Sequence, residues 1–148
     1  MRRQRGSTLF ELLTVLALVS VVAAIAVPSA AGVRRQFAAA AAAGRLALAL
    51  RCAQAQAQAR LCAVRVVVGP DGDYCLTEVA DGTERQVAHG ELGADVSSNY
   101  PAGTLEFGPR GWPSLPGAAS PRAGRFVVGG AASGHTVIVQ LSGCVRCV

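Results

Sequence analysis

The chain has 148 residues, of which 51% are hydrophobic, 16% are charged and 5% are aromatic. This length suits one domain, and so apolar a composition excludes an intrinsically disordered protein. The net charge is +5, but the first 62 residues hold eight arginines and one acid, whereas residues 63–148 hold six arginines and eight acids, about −2. A nucleic-acid-binding domain concentrates positive charge on its folded face, so the charge argues against that class.

A basic segment and a long apolar run open the chain. Three arginines within the first five residues precede residues 9–27, which are apolar except at Glu11, Thr14 and Ser20. As a helix this run is about 28 Å long, enough to cross a membrane. The two hydroxyls can bond back to carbonyls of the same helix. The positive-inside rule keeps the N-terminus in the cytoplasm and leaves the rest of the chain outside it.

Three ordinary interpretations of this segment are open. A secretory signal peptide has the same plan, with small residues at 24–26 as a passable cleavage site. Arg2 and Arg3 hint at a twin-arginine signal, and a plain membrane anchor needs only the apolar run. None of the three explains Glu11, because a charge inside the bilayer costs a few kcal/mol. Glu11 is therefore a candidate functional residue.

Residues 6–13 (GSTLFELL), behind a short basic leader, resemble the class III signal of type IV prepilins and type II secretion pseudopilins. The resemblance implies that a membrane prepilin peptidase cuts between Gly6 and Ser7 and then methylates Ser7. Glu11 becomes the fifth mature residue and Pro28 the twenty-second, where the family has its glutamate and often a proline. Ser7 differs from the usual Phe or Met at the first mature position.

These positions have a coherent chemistry in a filament of packed N-terminal helices. Glu11 could pair with the new α-amine on Ser7 of an adjacent subunit, and a slipped register would leave a buried charge without a partner. Glu11 would thus select the axial register of the filament. Pro28 removes one helical hydrogen bond, so it bends the helix or lets it melt locally. A simple helix end at the membrane surface is the alternative for Pro28.

The next segment, from Ser29 to about Leu61, reads as continued helix, because it is rich in alanine. An apolar stripe at steps of three and four residues should dock on the C-terminal domain; its members are Leu46, Leu50, Ala53, Ala57 and Leu61. The expected organisation is a leader at 1–6, a transmembrane helix at 7–28, a periplasmic amphipathic helix at 29–62 and a β domain at 63–148.

The β domain is expected to form a small antiparallel sheet packed on the helix, an α+β fold. Turn signals separate short β-branched runs, and residues 91–103 and the proline-rich residues 108–121 read as irregular. The predicted strands are 63–68 and 74–79 in a first hairpin, then 85–88 and 105–107, and finally 125–128 and 136–141 in a second hairpin.

Two C-terminal segments resemble the GspH/FimT branch of the pilin-like family. They are residues 107–111 (FGPRG) and the final strand with residues 142–146 (SGCVR). In DNA-uptake pilins of this branch the tail carries two arginines that contact DNA. Here Cys144 replaces the first, and only Arg146 fits. Together with the negative charge of the domain, this argues against DNA as a partner.

Five cysteines are many for a chain of this size, and the topology places them in an oxidising compartment. Structural disulfides are expected among Cys52, Cys62, Cys75, Cys144 and Cys147, although their pairing cannot be derived from sequence. Residues 144–147 have the C-x-x-C spacing of redox sites. However, no helix follows to lower the thiol pKa, and residues three apart on a strand face opposite sides.

No nucleophile motif, phosphate-binding loop or metal-ligand spacing is apparent, so neither an enzyme nor a cofactor is expected. His89 and His135 read as turn residues rather than as zinc ligands or a catalytic pair.

The resulting hypothesis is a minor pseudopilin of a type II secretion system, anchored in the inner membrane with a periplasmic domain. The alternative is a FimT-like minor pilin of a type IV pilus, involved in pilus assembly or DNA uptake. The expected partners are the prepilin peptidase and other pilins or pseudopilins.

Overall fold

A computed structural model describes residues 9–80, 82–130 and 134–148. The chain divides into two compact units, of which the first ends at Arg35 and the second is Gln36–Val148. One helix, α1 (Leu9–Arg60), contributes to both units. The second unit also contains all of the strands that the structure describes.

The part of α1 in the second unit buries one face. Leu46, Leu50, Ala53 and Ala57 are fully buried, which confirms four members of the predicted stripe. The fifth, Leu61, was wrongly included, because it is 76% exposed. The helix ends at Arg60, and Leu61 takes a left-handed φ of 53° that turns the chain toward the first strand.

Five antiparallel strands form the first sheet, in the order β3-β2-β1-β5-β6. The central strand β1 pairs on both sides, with Val64 opposite Glu78 and Phe107. The predicted first hairpin is confirmed as β1–β2. The strands are β1 (Ala63–Val68), β2 (Asp73–Ala80), β3 (Thr83–Glu91), β5 (Thr104–Phe107) and β6 (Pro113–Ser114).

Four antiparallel strands form a second sheet, in the order β4-β7-β8-β9. The predicted closing hairpin is confirmed as β7–β8, and a 3₁₀ turn, Pro101–Gly103, precedes β5. The strands are β4 (Val96–Ser98), β7 (Gly124–Val128), β8 (His135–Val139) and β9 (Val145–Cys147).

The α+β class is confirmed, but the single expected sheet is two sheets. Residues 91–103 were expected to be irregular and contain β4, and the proline-rich segment contains β6. Both strands are only two or three residues long and have weak strand signals. Their pairing with β7 and β5 is long-range, so short sequence windows do not reveal it.

Helix and sheets share one hydrophobic core in the second unit. Leu46 and Leu50 of α1 join Phe107 of the five-stranded sheet and Phe126 of the four-stranded sheet, and all four are fully buried. Alternate residues of the strands enter this core, as the burial of Val64, Val66 and Val68 in β1 illustrates. The other face of each sheet is left outside the core.

Candidate assembly site

The first sixteen described residues of α1, at positions 9–24, form an exposed apolar surface. Thr14 donates a hydrogen bond to the Glu11 carbonyl (2.9 Å) and Ser20 donates one to the Ala17 carbonyl (2.7 Å), as the sequence predicted. Glu11 lies near the start of the described part of α1. Ten large apolar side chains here are at least half exposed: Leu9, Phe10, Leu12, Leu13, Val15, Leu16, Leu18, Val19, Val21 and Val22. So large an apolar surface marks an interaction site.

Of the other predicted N-terminal positions, Gly6, Ser7 and Pro28, the structure describes only Pro28. Gly6 and Ser7 lie outside the described residues. Pro28 lies within α1, which continues to Arg60, so the alternative of a helix end at Pro28 is wrong. Among the described residues, no helix meets the length and hydropathy needed to cross a membrane.

Two glutamines of α1 hold the loop between β5 and β6. The Gln54 side-chain amide donates to the Gly111 carbonyl (2.9 Å), and that of Gln58 donates to the Arg110 carbonyl (3.4 Å). Gly111 has a φ of 77°, and a Cβ there would lie 2.3 Å from Gln58 Nε2. The first GspH/FimT-like segment, residues 107–111, therefore packs directly on the helix.

The second GspH/FimT-like segment reaches the same place. Gly143 has a φ of 86°, and a Cβ there would lie 2.2 Å from both Gln54 Nε2 and the Gly111 carbonyl oxygen. One turn earlier, Arg51 donates to the Val145 carbonyl at 3.0 Å. Thus residues 107–111 and 142–146 meet on α1 around Gln54, a contact that sequence reasoning missed. The sequence feature that could have predicted this contact is the helical spacing of Arg51, Gln54 and Gln58 beside the apolar stripe.

A buried carboxylate joins the end of α1 to the five-stranded sheet. Glu78 on β2 is only 7% exposed and accepts hydrogen bonds from the Arg85 guanidinium and the Cys62 thiol (3.3 Å). Arg60 Nε lies 3.7 Å from the same carboxylate. The Arg85 hydrogen bond, followed by that from Cys62, holds the pKa of Glu78 below its ordinary value. Burial and the adjacent carboxylate raise the pKa of the Cys62 thiol.

A second ion-paired group lies on the outer face of the same sheet. Arg65 on β1 pairs with Glu84 on β3 (2.5 Å) and with Glu106 on β5 (3.3 Å). These charges are satisfied within the domain, so they stabilise the packing of the strands rather than form a reactive centre. Sequence reasoning assigned no role to the ion pairs of either group.

Arg146, the candidate DNA contact, lies on the exposed face of the four-stranded sheet. Its register partner on β8 is Ile138, and Ile138 is also opposite Arg125 on β7. The two exposed arginines thus flank Ile138, with their Cα atoms about 10 Å apart, two strand spacings. The strands of this sheet contain no acid, whereas those of the five-stranded sheet contain five.

All five cysteines are free thiols in the structure. Cys52 lies on α1, Cys62 between α1 and β1, and Cys75 on β2, whereas Cys144 and Cys147 lie just before and at the end of β9. The five thiols are thus distributed over the helix and both sheets, and no disulfide joins any two of them in this structure. Their pairing stays a prediction.

The two histidines are also separated. His89 lies on β3, an edge strand of the five-stranded sheet, and His135 opens β8 in the other sheet. Both belong to strands rather than to turns, so the expectation of turn residues was wrong. In the described part of the chain, no three His, Cys, Asp or Glu side chains are grouped as a metal site.

Comparison with protein families identifies the chain. A family model described as "Type II transport protein GspH" matches residues 42–143, which include α1 from Ala42 and nearly all of the β domain. The chain belongs to the GspH family. A second model, "Prokaryotic N-terminal methylation motif", matches residues 1–27. This GspH-family protein is therefore a pilin-like filament subunit, and its family consists of structural proteins that assemble with other pilins.

Solved structures agree on the fold. The type IV minor pilin FimU of Pseudomonas aeruginosa matches in two crystal forms, with TM-scores of 0.62 and 0.59 and identities of 14% and 15%. The matches cover 74% and 72% of this chain and 87% and 90% of FimU. At these identities the likeness shows that the GspH-family protein has the fold of this pilin. No curated protein matches the sequence.

Proposed function

We propose that this protein is a minor pseudopilin of a type II secretion system, a subunit near the tip of the periplasmic pseudopilus that helps drive protein export. The exposed apolar surface at residues 9–24, which includes Glu11, carries the proposal. When neighbouring helices cover such a surface, as they do in a helical filament, the free energy of the assembly is lowered. The GspH-family match supports a pilin-like filament subunit, and the charge of about −2 of residues 63–148 favours the secretion machine over DNA uptake.

Processing precedes assembly in this proposal. The prepilin peptidase cuts between Gly6 and Ser7 and methylates Ser7, which removes three arginines and creates a new α-amine. The chain crosses the inner membrane once, with its N-terminus in the cytoplasm and its β domain in the periplasm. The match to the N-terminal methylation motif over residues 1–27 supports this step.

Glu11 then selects the position of the subunit in the filament. Its carboxylate pairs with the α-amine of a neighbouring subunit among packed apolar helices. A subunit displaced along the axis would leave both charges buried without a partner, at a cost of several kcal/mol. Pro28 lets the helix adapt during packing, because it cannot donate a helical hydrogen bond.

Chain mass tests the processing step. In cells with prepilin peptidase, the mature chain should begin at Ser7 and carry one methyl group, whereas in peptidase-deficient cells the leader should remain. An unchanged mass, or a new terminus at Val27, would contradict the proposed processing.

Incorporation tests the role of Glu11. Glu11→Gln keeps the shape of the side chain but removes its charge, so cleavage should be normal while the amount in sheared filaments falls about tenfold or more. The matched control is Glu91→Gln on the exposed strand β3, which should assemble like the natural chain. Equal incorporation of both variants would remove the assigned role of Glu11.

The alternative function is that of a FimT-like minor pilin, in pilus assembly or DNA uptake. The observation that favours it is the pair Arg125 and Arg146 on a sheet face whose strands lack acids. It predicts duplex DNA binding by the full chain at low salt, weakened severalfold by Arg146→Ala and by Arg125→Ala, but not by Arg85→Ala, whose guanidinium is held by Glu78. The pseudopilin proposal predicts no detectable binding.

A further inference from the structure

Trp112 is an exposed indole that neither the core nor the proposed assembly uses. It is the sole tryptophan of the chain and is 46% exposed. Gly108 donates a hydrogen bond to its carbonyl (3.1 Å), which closes the loop between β5 and β6. The Arg110 guanidinium lies 5.6 Å from the centroid of the indole ring. The loop therefore presents a partly exposed aromatic ring with a cation beside it.

A groove of about 390 Å³ adjoins this ring. It lies against the outer face of the five-stranded sheet, where small residues leave space: Val64 pairs with Phe107, and Ala63 precedes Val64 whereas Gly108 follows Phe107. Further apolar lining comes from the proline-rich segment, at Ala118, Ala119 and Pro121. The volume lies within the range of small-molecule sites, about 300–1,000 Å³.

The groove offers hydrogen-bond donors and acceptors beside its apolar surface. Arg110 and the indole N–H are donors, and the Ser114 hydroxyl, which donates to the Glu106 carbonyl (3.3 Å), is left as an acceptor. The Glu106 carboxylate binds Arg65 through Oε2, at 3.3 and 3.4 Å, and has a second oxygen, Oε1, as a further acceptor. The charged residues lining the groove are one acid and one base, Glu106 and Arg110, so a neutral ligand fits it better than a polyanion.

The backbone beside the groove does not favour an added peptide strand. Arg122 N–H donates to the Pro113 carbonyl (2.7 Å), and Ser114 forms a β-bridge with Pro121. The proline-rich segment thus covers the outer edge of β6, the edge that an extended peptide would need for main-chain pairing.

We propose that this groove binds a neutral saccharide. The apolar C–H face of a pyranose ring suits an exposed indole, and its hydroxyls both donate and accept hydrogen bonds, which matches Arg110, Glu106 and Ser114. The small residues at 63 and 108 give the ring space beside Trp112. This site lies in the β domain and does not depend on how the protein assembles.

The sole tryptophan makes the test direct. The full chain, in a detergent without a sugar head group, is titrated with chitotriose, cellotriose and maltotriose while Trp112 fluorescence is followed. At least one of these neutral trisaccharides should produce a saturable change. Calorimetry should show binding about tenfold weaker for Trp112→Ala, equivalent to ~1.4 kcal/mol. Trp112→Tyr should retain most of the affinity, and Arg125→Ala on the other sheet should leave it unchanged.

Circular dichroism establishes that each variant is folded before binding is measured. The proposal is overturned if none of the three trisaccharides binds, if a folded Trp112→Ala variant binds as tightly as the natural chain, or if a folded Trp112→Tyr variant loses as much affinity as Trp112→Ala. A fluorescence change with a proline-rich peptide or single-stranded DNA, without one for any saccharide, also overturns it.

Discussion

Gly111 and Gly143 are positions where the absence of a side chain decides the packing. Both have positive φ, and a Cβ at Gly143 would collide with the Gly111 carbonyl and with Gln54. These two glycines let two distant loops approach the same turn of α1. Both glycines lie in the segments that resemble the GspH/FimT branch, residues 107–111 and 142–146.

Replacing Gly143 should be costly, whereas replacing Gly44 should not. Gly143→Ala should lower the free energy of unfolding by ~2 kcal/mol or more, because the left-handed backbone alone costs ~1–2 kcal/mol. Gly44→Ala is the matched control: apart from its chain neighbours and the backbone of the same helix, no atom lies within 4 Å of its added Cβ, and the helix should gain ~0.5–1 kcal/mol. Denaturant unfolding followed by circular dichroism measures the free energy of unfolding of both variants. If the two substitutions changed it in the same direction, this account would be contradicted.

Glu78 should make stability depend on pH. Its hydrogen bonds with Arg85 and Cys62 lower its pKa in the folded state from an ordinary value of 4.5. The stabilisation is therefore present above that value and is lost as the pH falls through the folded-state pKa. Glu78→Gln should lower the thermal midpoint at pH 7, and its difference from the natural chain should shrink below about pH 4.5.

The exposed Glu91 is the control for this prediction. Glu91→Gln, on the edge strand β3, should change the midpoint little at either pH. A difference for Glu78→Gln that stays constant from neutral to acid pH would show that the carboxylate charge is not what stabilises the site.

At the scale of elements, α1 holds the sheets with polar side chains as well as with its apolar stripe. Arg45 donates to the Leu92 carbonyl (2.8 Å), Arg51 to Val145 and Gln54 to Gly111. These bonds satisfy backbone carbonyls that lie in loops or at the end of a strand. They determine where the loops dock, whereas the stripe provides most of the burial.

Loss of the Gln54 amide should therefore loosen the loop between β5 and β6. Gln54→Ala should lower the free energy of unfolding by ~1 kcal/mol and shift the emission of nearby Trp112. Gln56→Ala, two residues along the same helix, should change neither quantity appreciably. Identical behaviour of the two variants would contradict the assigned role of Gln54.

At the scale of the molecule, the second unit should unfold as one body, because helix and sheets share a core. Phe126 belongs to the four-stranded sheet, whereas Trp112 adjoins the five-stranded sheet. Phe126→Leu should lower the free energy of unfolding by ~1–2 kcal/mol. The unfolding midpoints followed by circular dichroism and by Trp112 fluorescence should fall equally.

Phe37→Leu provides the control, since Phe37 is 72% exposed and its replacement should cost less than ~0.5 kcal/mol. If Phe126→Leu shifted the circular dichroism midpoint but left the Trp112 midpoint in place, the two sheets would be separate folding units.

The sequence by itself determined the features that depend on neighbouring residues. The apolar run with Glu11, the buried stripe at Leu46 and Leu50, and the turns of the two hairpins follow from local composition and periodicity. The match to the N-terminal methylation motif agrees with the interpretation of the first 27 residues. Such patterns can be read locally because helix and turn geometry relates residues only a few positions apart.

Only the tertiary structure decided the division into two sheets, the junction around Gln54 and the alignment of Arg125 with Arg146. Gln54 and Gly143 lie far apart along the chain, so no local pattern relates them. Leu61 illustrates the same limit, since its spacing matches the stripe but the helix ends one residue earlier. Long-range packing selects these arrangements, because each forms only when several distant segments are already in place.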